Sequence, residues 1–291
     1  MHNSQLLPYF RLMRLPAVFS AISNILAAHL IVTQGRVQWD ILMLLVLASA
    51  CLYTGGMVMN DYFDFEEDYR DRPSRPIPSG QVSLQQARVF GISLLGAGLL
   101  LAAMVGGRQF VIALVLVILI ITYDALLKNT LLGAPAMGAC RLVNWLLGLS
   151  MVQLTPDVWT LALPIFFYIS ALTLLSQIET TANNKVPVYA CAAGMLLTTL
   201  AIMILNGAGI LLHGWALVLV GMGLIVILQH LQSILKDFTP TKVQGAVTLL
   251  LLGVVPLDAI LVLAAGPWWG AIVVISLWFL ARKLARRMAI T

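Results

Sequence analysis

The segment from Asn60 to Gly80, NDYFDFEEDYRDRPSRPIPSG, holds six of the chain's 12 acidic residues within eleven positions. On a helix Asp61, Asp64 and Asp68 stand at i, i+3 and i+7, with Asn60 four residues before Asp64, so three carboxylates and an amide carbonyl share one stripe. Like charges that close repel unless a cation lies between them. Hard oxygen donors, few enough to leave positions for water and phosphate, are the set Mg²⁺ prefers. Arg72 and Arg75 follow around the helix-stopping Pro73. Carboxylates for a metal beside guanidinium groups for oxyanions suit a diphosphate. A solvated helix end, flanked by arginines that only set topology, is the plain alternative. Asn60, the Arg-Pro pair and the apolar setting weigh against it.

The elements that must carry this cluster are written in the composition. Hydrophobic residues make up 60% of the 291 and charged residues only 10%, where a soluble domain carries about 25% charged. Apolar runs of about twenty residues, the length that crosses a bilayer core, recur along the chain. They predict an all-α, polytopic transmembrane helical bundle of ten spans near 15–34, 39–60, 85–106, 109–127, 131–153, 157–178, 186–207, 213–236, 243–264 and 267–286, or of nine with the last helix on the surface. The alternating pattern of a membrane barrel is absent. No linker or tail suggests a second unit, so residues 1–291 read as one domain.

Orientation follows from the basic residues. With a cytoplasmic N-terminus, fourteen of the 17 lysines and arginines fall on the cytoplasmic side. They are Arg11, Arg14, Arg70, Arg72, Arg75, Arg88, Lys128, Lys185, Lys236, Lys242, Arg282, Lys283, Arg286 and Arg287. Arg36 and Arg108 fall opposite, and Arg141 lies inside a span. The positive-inside rule then puts the acidic segment at the cytoplasmic face of an inner membrane. The net charge of +5 reports topology and lipid contact, not nucleic acid. Polarity gathered at one face predicts a cavity open to the cytoplasm, where a transporter would carry polar groups to the midplane. Cys51, Cys140 and Cys191 have no paired spacing and read as packing residues.

N-D-x-x-D-x-x-x-D followed by R-x-x-R-P-I-P-S-G resembles the first signature of the UbiA superfamily of intramembrane prenyltransferases. LPAVFSAISNILAA resembles the family's first helix, with Asn24 at its polar position. YDALLK, Tyr123 to Lys128, resembles the family's Tyr-x-x-x-Lys with one extra residue. The resemblance implies a helical bundle around a lipid-accessible cavity, two acidic motifs facing each other through Mg²⁺ and a diphosphate, and transfer of an isoprenyl chain to a small acceptor. The second motif departs from the family's pattern: SQIETTANNK has Glu179 as its sole acid, beside the neutral oxygens of Gln177, Asn183 and Asn184. The diphosphate is then expected to rest on the first motif, Lys128 and Lys185. LLSQIE, MGACRLVNWLLG and LLGVVPLDA together resemble UbiA-like proteins of bacterial ebo-type gene clusters, which implies a polar cyclitol-like acceptor as the alternative to an aromatic one.

Three further positions are read from the residues. Arg141 and Asn144 lie one turn apart inside a span, where a charge costs at least about 2.5–3.5 kcal/mol unless it faces a cavity or a partner. They are candidate ligands for diphosphate or acceptor, or a structural pair. Asp258, after Pro256, either orients an acceptor or pairs with Arg141. Tyr123 either steadies an allylic cation with its π face, holds diphosphate through its hydroxyl, or is an interfacial tyrosine.

The expected reaction is metal-assisted ionisation of a prenyl diphosphate. Asn60, Asp61, Asp64, Asp68 and Glu179 hold Mg²⁺; Arg72, Arg75 and Lys128 neutralise the leaving group; Asn24, Arg141 and Asn144 bind substrate. Asp61, Asp64, Tyr123 and Lys128 act on the reacting centre. A terpene cyclase on the same scaffold and a lipid or cation transporter are the rival readings. The expected partners are the two substrates and the bilayer, with no obligate protein partner.

Overall fold

The structure is a computed structural model that describes the backbone of residues 6–290 and the side chains of residues 6–286. The side chain of Arg287, counted above for orientation, lies outside the described residues. Among the described residues the chain is helical, with no strand. The helices are α1 (Leu7–Leu12), α2 (Leu15–Thr33), α3 (Trp39–Phe63), α4 (Phe65–Asp71), α5 (Leu84–Val105), α6 (Gly107–Thr122), α7 (Gly133–Leu149), α8 (Pro156–Trp159), α9 (Leu163–Ser176), α10 (Val186–Gly207), α11 (Ala216–Lys236), α12 (Pro240–Ala265) and α13 (Trp268–Ile290). Their bounds follow local chemistry. Pro16, Pro164, Pro187 and Pro240 occupy first-turn positions, where the missing N–H costs nothing. Ser83 and Gln86 cap α5 reciprocally, which satisfies two otherwise orphaned donors.

Among the described residues nine helical segments are long and apolar enough to cross a membrane, and they fall on nine of the ten predicted spans. The last of them, Trp268–Arg286, qualifies with a mean hydropathy of 1.4. The remaining predicted span, 131–153, is α7, whose 17 residues are fewer than the 19 to 26 of the nine segments. It compensates by burial, with Trp145, Leu147 and Leu149 fully enclosed. The α5, α6 and α11 spans are the opposite case, apolar throughout yet mostly uncovered. Ile118 is 56% exposed and Leu100 69%. Such surface is stable only in lipid.

Each long helix packs on the next in sequence, and α13 returns to α2, so the bundle closes into a ring. A contact between α2 and α7 crosses the ring and divides it. The half bounded by α7, α9, α10, α11, α12, α13 and α2 is filled by one continuous apolar core around Trp145 and Ile165. The half bounded by α2, α3, α5, α6 and α7 carries two smaller apolar clusters, around Leu52 and around Leu45. It encloses a chamber.

Candidate functional site

The acidic segment forms at the end of α3. The helix predicted to run through Asp68 is interrupted at Asp64, whose ψ of 2° ends α3 and starts α4. Asp68 N–H still donates to the Asp64 carbonyl at 2.8 Å, so the stripe survives the break. The six acids divide by role. Asp61 and Asp68 are buried, Asp64 is half-buried, and Glu66, Glu67 and Asp71 are exposed. Helix α4 stops at Asp71, just ahead of Pro73, as the sequence requires.

Every carboxylate of the stripe faces a cation. Asp61 accepts from Arg14 at 2.8 Å and Arg75 at 3.3 Å. Asp68 pairs with Arg75 at 2.5 Å and Arg72 at 3.8 Å. Asp64 pairs with Lys128. Asn60 donates through Nδ2 to Asp124 Oδ1 at 2.9 Å, which leaves its carbonyl oxygen without a hydrogen bond among the described residues. Arg14 reaches Asp61 from the α1–α2 junction in a left-handed backbone conformation, φ 46°, at a cost of about 1–3 kcal/mol. Burial is the largest single influence and lowers its pKa, but Asp61, Tyr53 and Asp68 together outweigh it and the net direction is upward. The guanidinium is a fixed cation.

Tyr123 to Leu127 forms a π-turn that continues α6, closed by Lys128 N–H donating to the Tyr123 carbonyl at 2.9 Å. In a π-turn, residues five apart share a face, as residues four apart do in an α-helix. The extra residue of YDALLK is absorbed there, and Tyr123 and Lys128 remain on one side. Lys128 meets Asp64, while Tyr123 and Asp124 line the chamber.

The chamber lies between α2, α3, α6 and α7. Its walls are mostly apolar, with Met57, Leu116, Ile120 and Met137 among them, and its polar groups are Tyr53, Tyr123, Asp124, Arg141 and Asn144. Asp124 faces the chamber and also bonds to Asn60, so it joins the apolar space to the acidic stripe. Arg141 lies over the Tyr53 ring at 4.8 Å, a favourable cation–π distance. It donates to Ser20 Oγ at 2.9 Å and Asn24 Oδ1 at 3.4 Å. Asn144 accepts from Ser49 at 2.7 Å and donates to the Ala21 carbonyl at 3.1 Å.

The structure thus brings together Asn60, Asp61, Asp64, Asp68, Arg72, Arg75 and Lys128 at one end, and Tyr123, Arg141 and Asn144 around the chamber. Asn24 is fully buried and bonded to Asp258, behind the wall and not on it. Asp258 and Arg141 form no direct ion pair among the described residues; Asn24 stands between them. Glu179 follows α9, half-buried, and its side chain has no hydrogen bond or ion pair among the described residues. Arg14, Tyr53 and Asp124 were not singled out from sequence. Asp124 carried a signal, since an acid inside an apolar span points to a site.

Among the described residues no three of His, Cys, Asp and Glu converge as a ready metal group. The donor chemistry nonetheless fits Mg²⁺: three carboxylates and an unused amide oxygen, all hard, on one stripe. The cations now paired with them are the groups an incoming diphosphate would attract.

A family model described as the UbiA prenyltransferase family matches residues 21–233. Over 123 residues the chain is 35% identical to a digeranylgeranylglyceryl phosphate synthase of Metallosphaera sedula, covering 42% of this chain and 43% of that protein. The match therefore spans less than half of the relative's length. The fold matches a solved digeranylgeranylglyceryl phosphate synthase structure with a TM-score of 0.69 at 21% identity, over 90% of this chain and 98% of that one. It also matches a UbiA homolog from Archaeoglobus fulgidus bound to GPP and Mg²⁺, with a TM-score of 0.54 at 15% identity, over 94% of this chain and 99% of that one. At these identities the likeness is one of fold.

Proposed function

Because this chain belongs to the UbiA prenyltransferase family, we propose that it transfers a prenyl chain from a prenyl diphosphate to a small acceptor within the membrane. The observation that carries this reading is the contiguity of a charged cluster and an apolar chamber, joined at Asp124. The substrate has the same two parts, a charged head and an apolar tail. Asp61, Asp64, Asp68, the Asn60 carbonyl oxygen and Glu179 are the residues that would hold Mg²⁺, which supplies Lewis-acid charge beside the departing diphosphate.

The remaining chemistry belongs to the chain's own groups. Arg72, Arg75 and Lys128 exchange carboxylate oxygens for diphosphate oxygens and stabilise the charge that develops as the C–O bond breaks. Tyr123 presents its ring to the allylic centre. The apolar walls exclude water, so the cation survives until the acceptor takes it. Arg141 and Asn144 hold the acceptor, aromatic or polar cyclitol-like, deeper in the chamber; Arg141 lies eight residues into α7, about 12 Å along its axis.

The test supplies purified protein in lipid nanodiscs with labelled prenyl diphosphate, Mg²⁺ and cell extract. Release of pyrophosphate together with an extract-dependent labelled lipid is the expected result. A labelled lipid formed without extract identifies a cyclase. Binding without pyrophosphate release identifies a carrier and overturns the proposal.

Orientation has its own prediction. Single cysteines at Lys128, Lys185 and Lys283, in a background lacking Cys51, Cys140 and Cys191, are expected to react with impermeant maleimide only from the cytoplasmic side. Labelling of Lys128→Cys from the outer side places the charged cluster on the opposite face.

A further inference from the structure

Asp258 is fully buried in α12, far from the acidic stripe in sequence, and the reaction above makes no use of it. A carboxylate buried in a membrane bundle is costly unless its oxygens are satisfied. Here they are. Ser23 donates at 2.5 Å and Asn24 at 2.7 Å to one oxygen, and the Trp145 indole donates at 3.2 Å to the other.

The polarity of this network has one solution. An ionised carboxylate only accepts, so Asn24 must turn its NH₂ toward Asp258. An amide has its carbonyl on the other side, and that oxygen meets Arg141, which only donates. Arg141 completes its support on Ser20 Oγ and the Tyr53 face. Two of its five N–H groups are used in these hydrogen bonds, and the guanidinium forms part of the chamber wall.

We infer that Asp258 is a positioning residue: through the Asn24 amide it fixes the Arg141 guanidinium so that its remaining N–H groups serve the acceptor. The inference rests on the transferase reading for the word acceptor, and on geometry alone for the relay. Asparagine at 258 would remove the constraint. Its own NH₂ can face Asn24, which then turns its carbonyl toward 258 and its NH₂ toward Arg141. Two donors would meet, and Arg141 would leave its place.

The experiment compares the unaltered protein with Asp258→Asn, Asn24→Ala, and the swap Asn24→Asp/Asp258→Asn, all in nanodiscs. In the swap, residue 24 again accepts from Arg141 while residue 258 donates to it, so the order of donors and acceptors is rebuilt. Prenyl diphosphate and serially diluted cell extract are titrated separately. Asp258→Asn and Asn24→Ala are each expected to raise the half-saturating amount of extract at least tenfold, with half-saturating prenyl diphosphate within twofold. The swap should return the extract value to within threefold. Asn24→Ala leaves Asp258 two donors and decides the matter if Asp258→Asn does not fold.

A second readout needs no turnover: modification of Arg141 by phenylglyoxal, followed by peptide mass spectrometry, should quicken severalfold in both single variants. An unchanged modification rate, or equal loss of donor and acceptor saturation, overturns the relay. A swap that leaves the extract value where the single variants put it does the same. Absence of any pyrophosphate release by the unaltered protein overturns the transferase reading instead, and the phenylglyoxal comparison still decides the relay.

Discussion

Replacing Asp61 or Asp64 by alanine is expected to lower prenyl transfer about 10³-fold, the scale on which losing one preorganised charge-stabilising group acts. Each variant should still insert and fold. The two acids do different work. Asp61 is buried between Arg14 and Arg75, so its loss leaves two guanidinium groups facing each other and, on the proposed reading, removes a metal oxygen. Asp64 is half-buried and, among the described residues, pairs with Lys128 alone, so its loss frees the lysine and, on the proposed reading, removes a second metal oxygen. The nearest further carboxylate, Asp124, already accepts from Asn60 at 2.9 Å and lies on another helix, so it is not expected to take over either place. The measurement is product formation against Mg²⁺ concentration, with membrane yield as the folding control. If either alanine variant kept near-normal turnover at limiting Mg²⁺, the stripe would not be the metal-binding side.

The second large effect concerns the scaffold. Gly138 lies where α7 crosses α9, and a Cβ built there would stand 2.2 Å from Ser170 Oγ and 2.7 Å from the Phe166 carbonyl oxygen. Ser170 can rotate away. The carbonyl belongs to the α9 backbone and cannot, so the helices must separate. Small residues at such crossings let membrane helices approach closely. Gly138→Val is therefore expected to cost about 3 kcal/mol, seen as a melting temperature lower by several degrees in detergent and a reduced yield of folded protein. Gly138→Ala should show the same trend more weakly. A valine variant that melts with the unaltered protein would mean that α7 and α9 are not in backbone contact at this point.

The helices were legible because run length and composition decide them. The predicted spans fall on the observed ones within a few residues, save that the span read as 131–153 contracts to α7. The acidic stripe was legible because its spacing is local. What the sequence hid was tertiary. Arg14 counted only toward orientation, and nothing near it announces Asp61, 47 positions away. Asn24 carried the right polarity but the wrong surroundings: its partner Asp258 lies 234 positions on, and that bond turns it from the chamber into the wall. Asp258 could orient an acceptor or pair with Arg141 on sequence grounds. Among the described residues the direct pair is not formed, because Asn24 stands between the two, and an intervening amide cannot be read from two distant residues.

The π-turn from Tyr123 to Leu127 has a meaning for how such chains diverge. An insertion in a membrane helix ordinarily rotates everything beyond it by about 100°, and a tyrosine and a lysine proposed to serve one site would part. Here the surplus residue is stored as a wider loop of backbone, and the angular phase downstream is kept. On the proposed reading, helical phase and not residue count is what keeps Tyr123 and Lys128 at one site. A lineage could gain or lose that one residue while its chemistry stayed in step, and a signature written as a fixed spacing would pass over the chain that had done so.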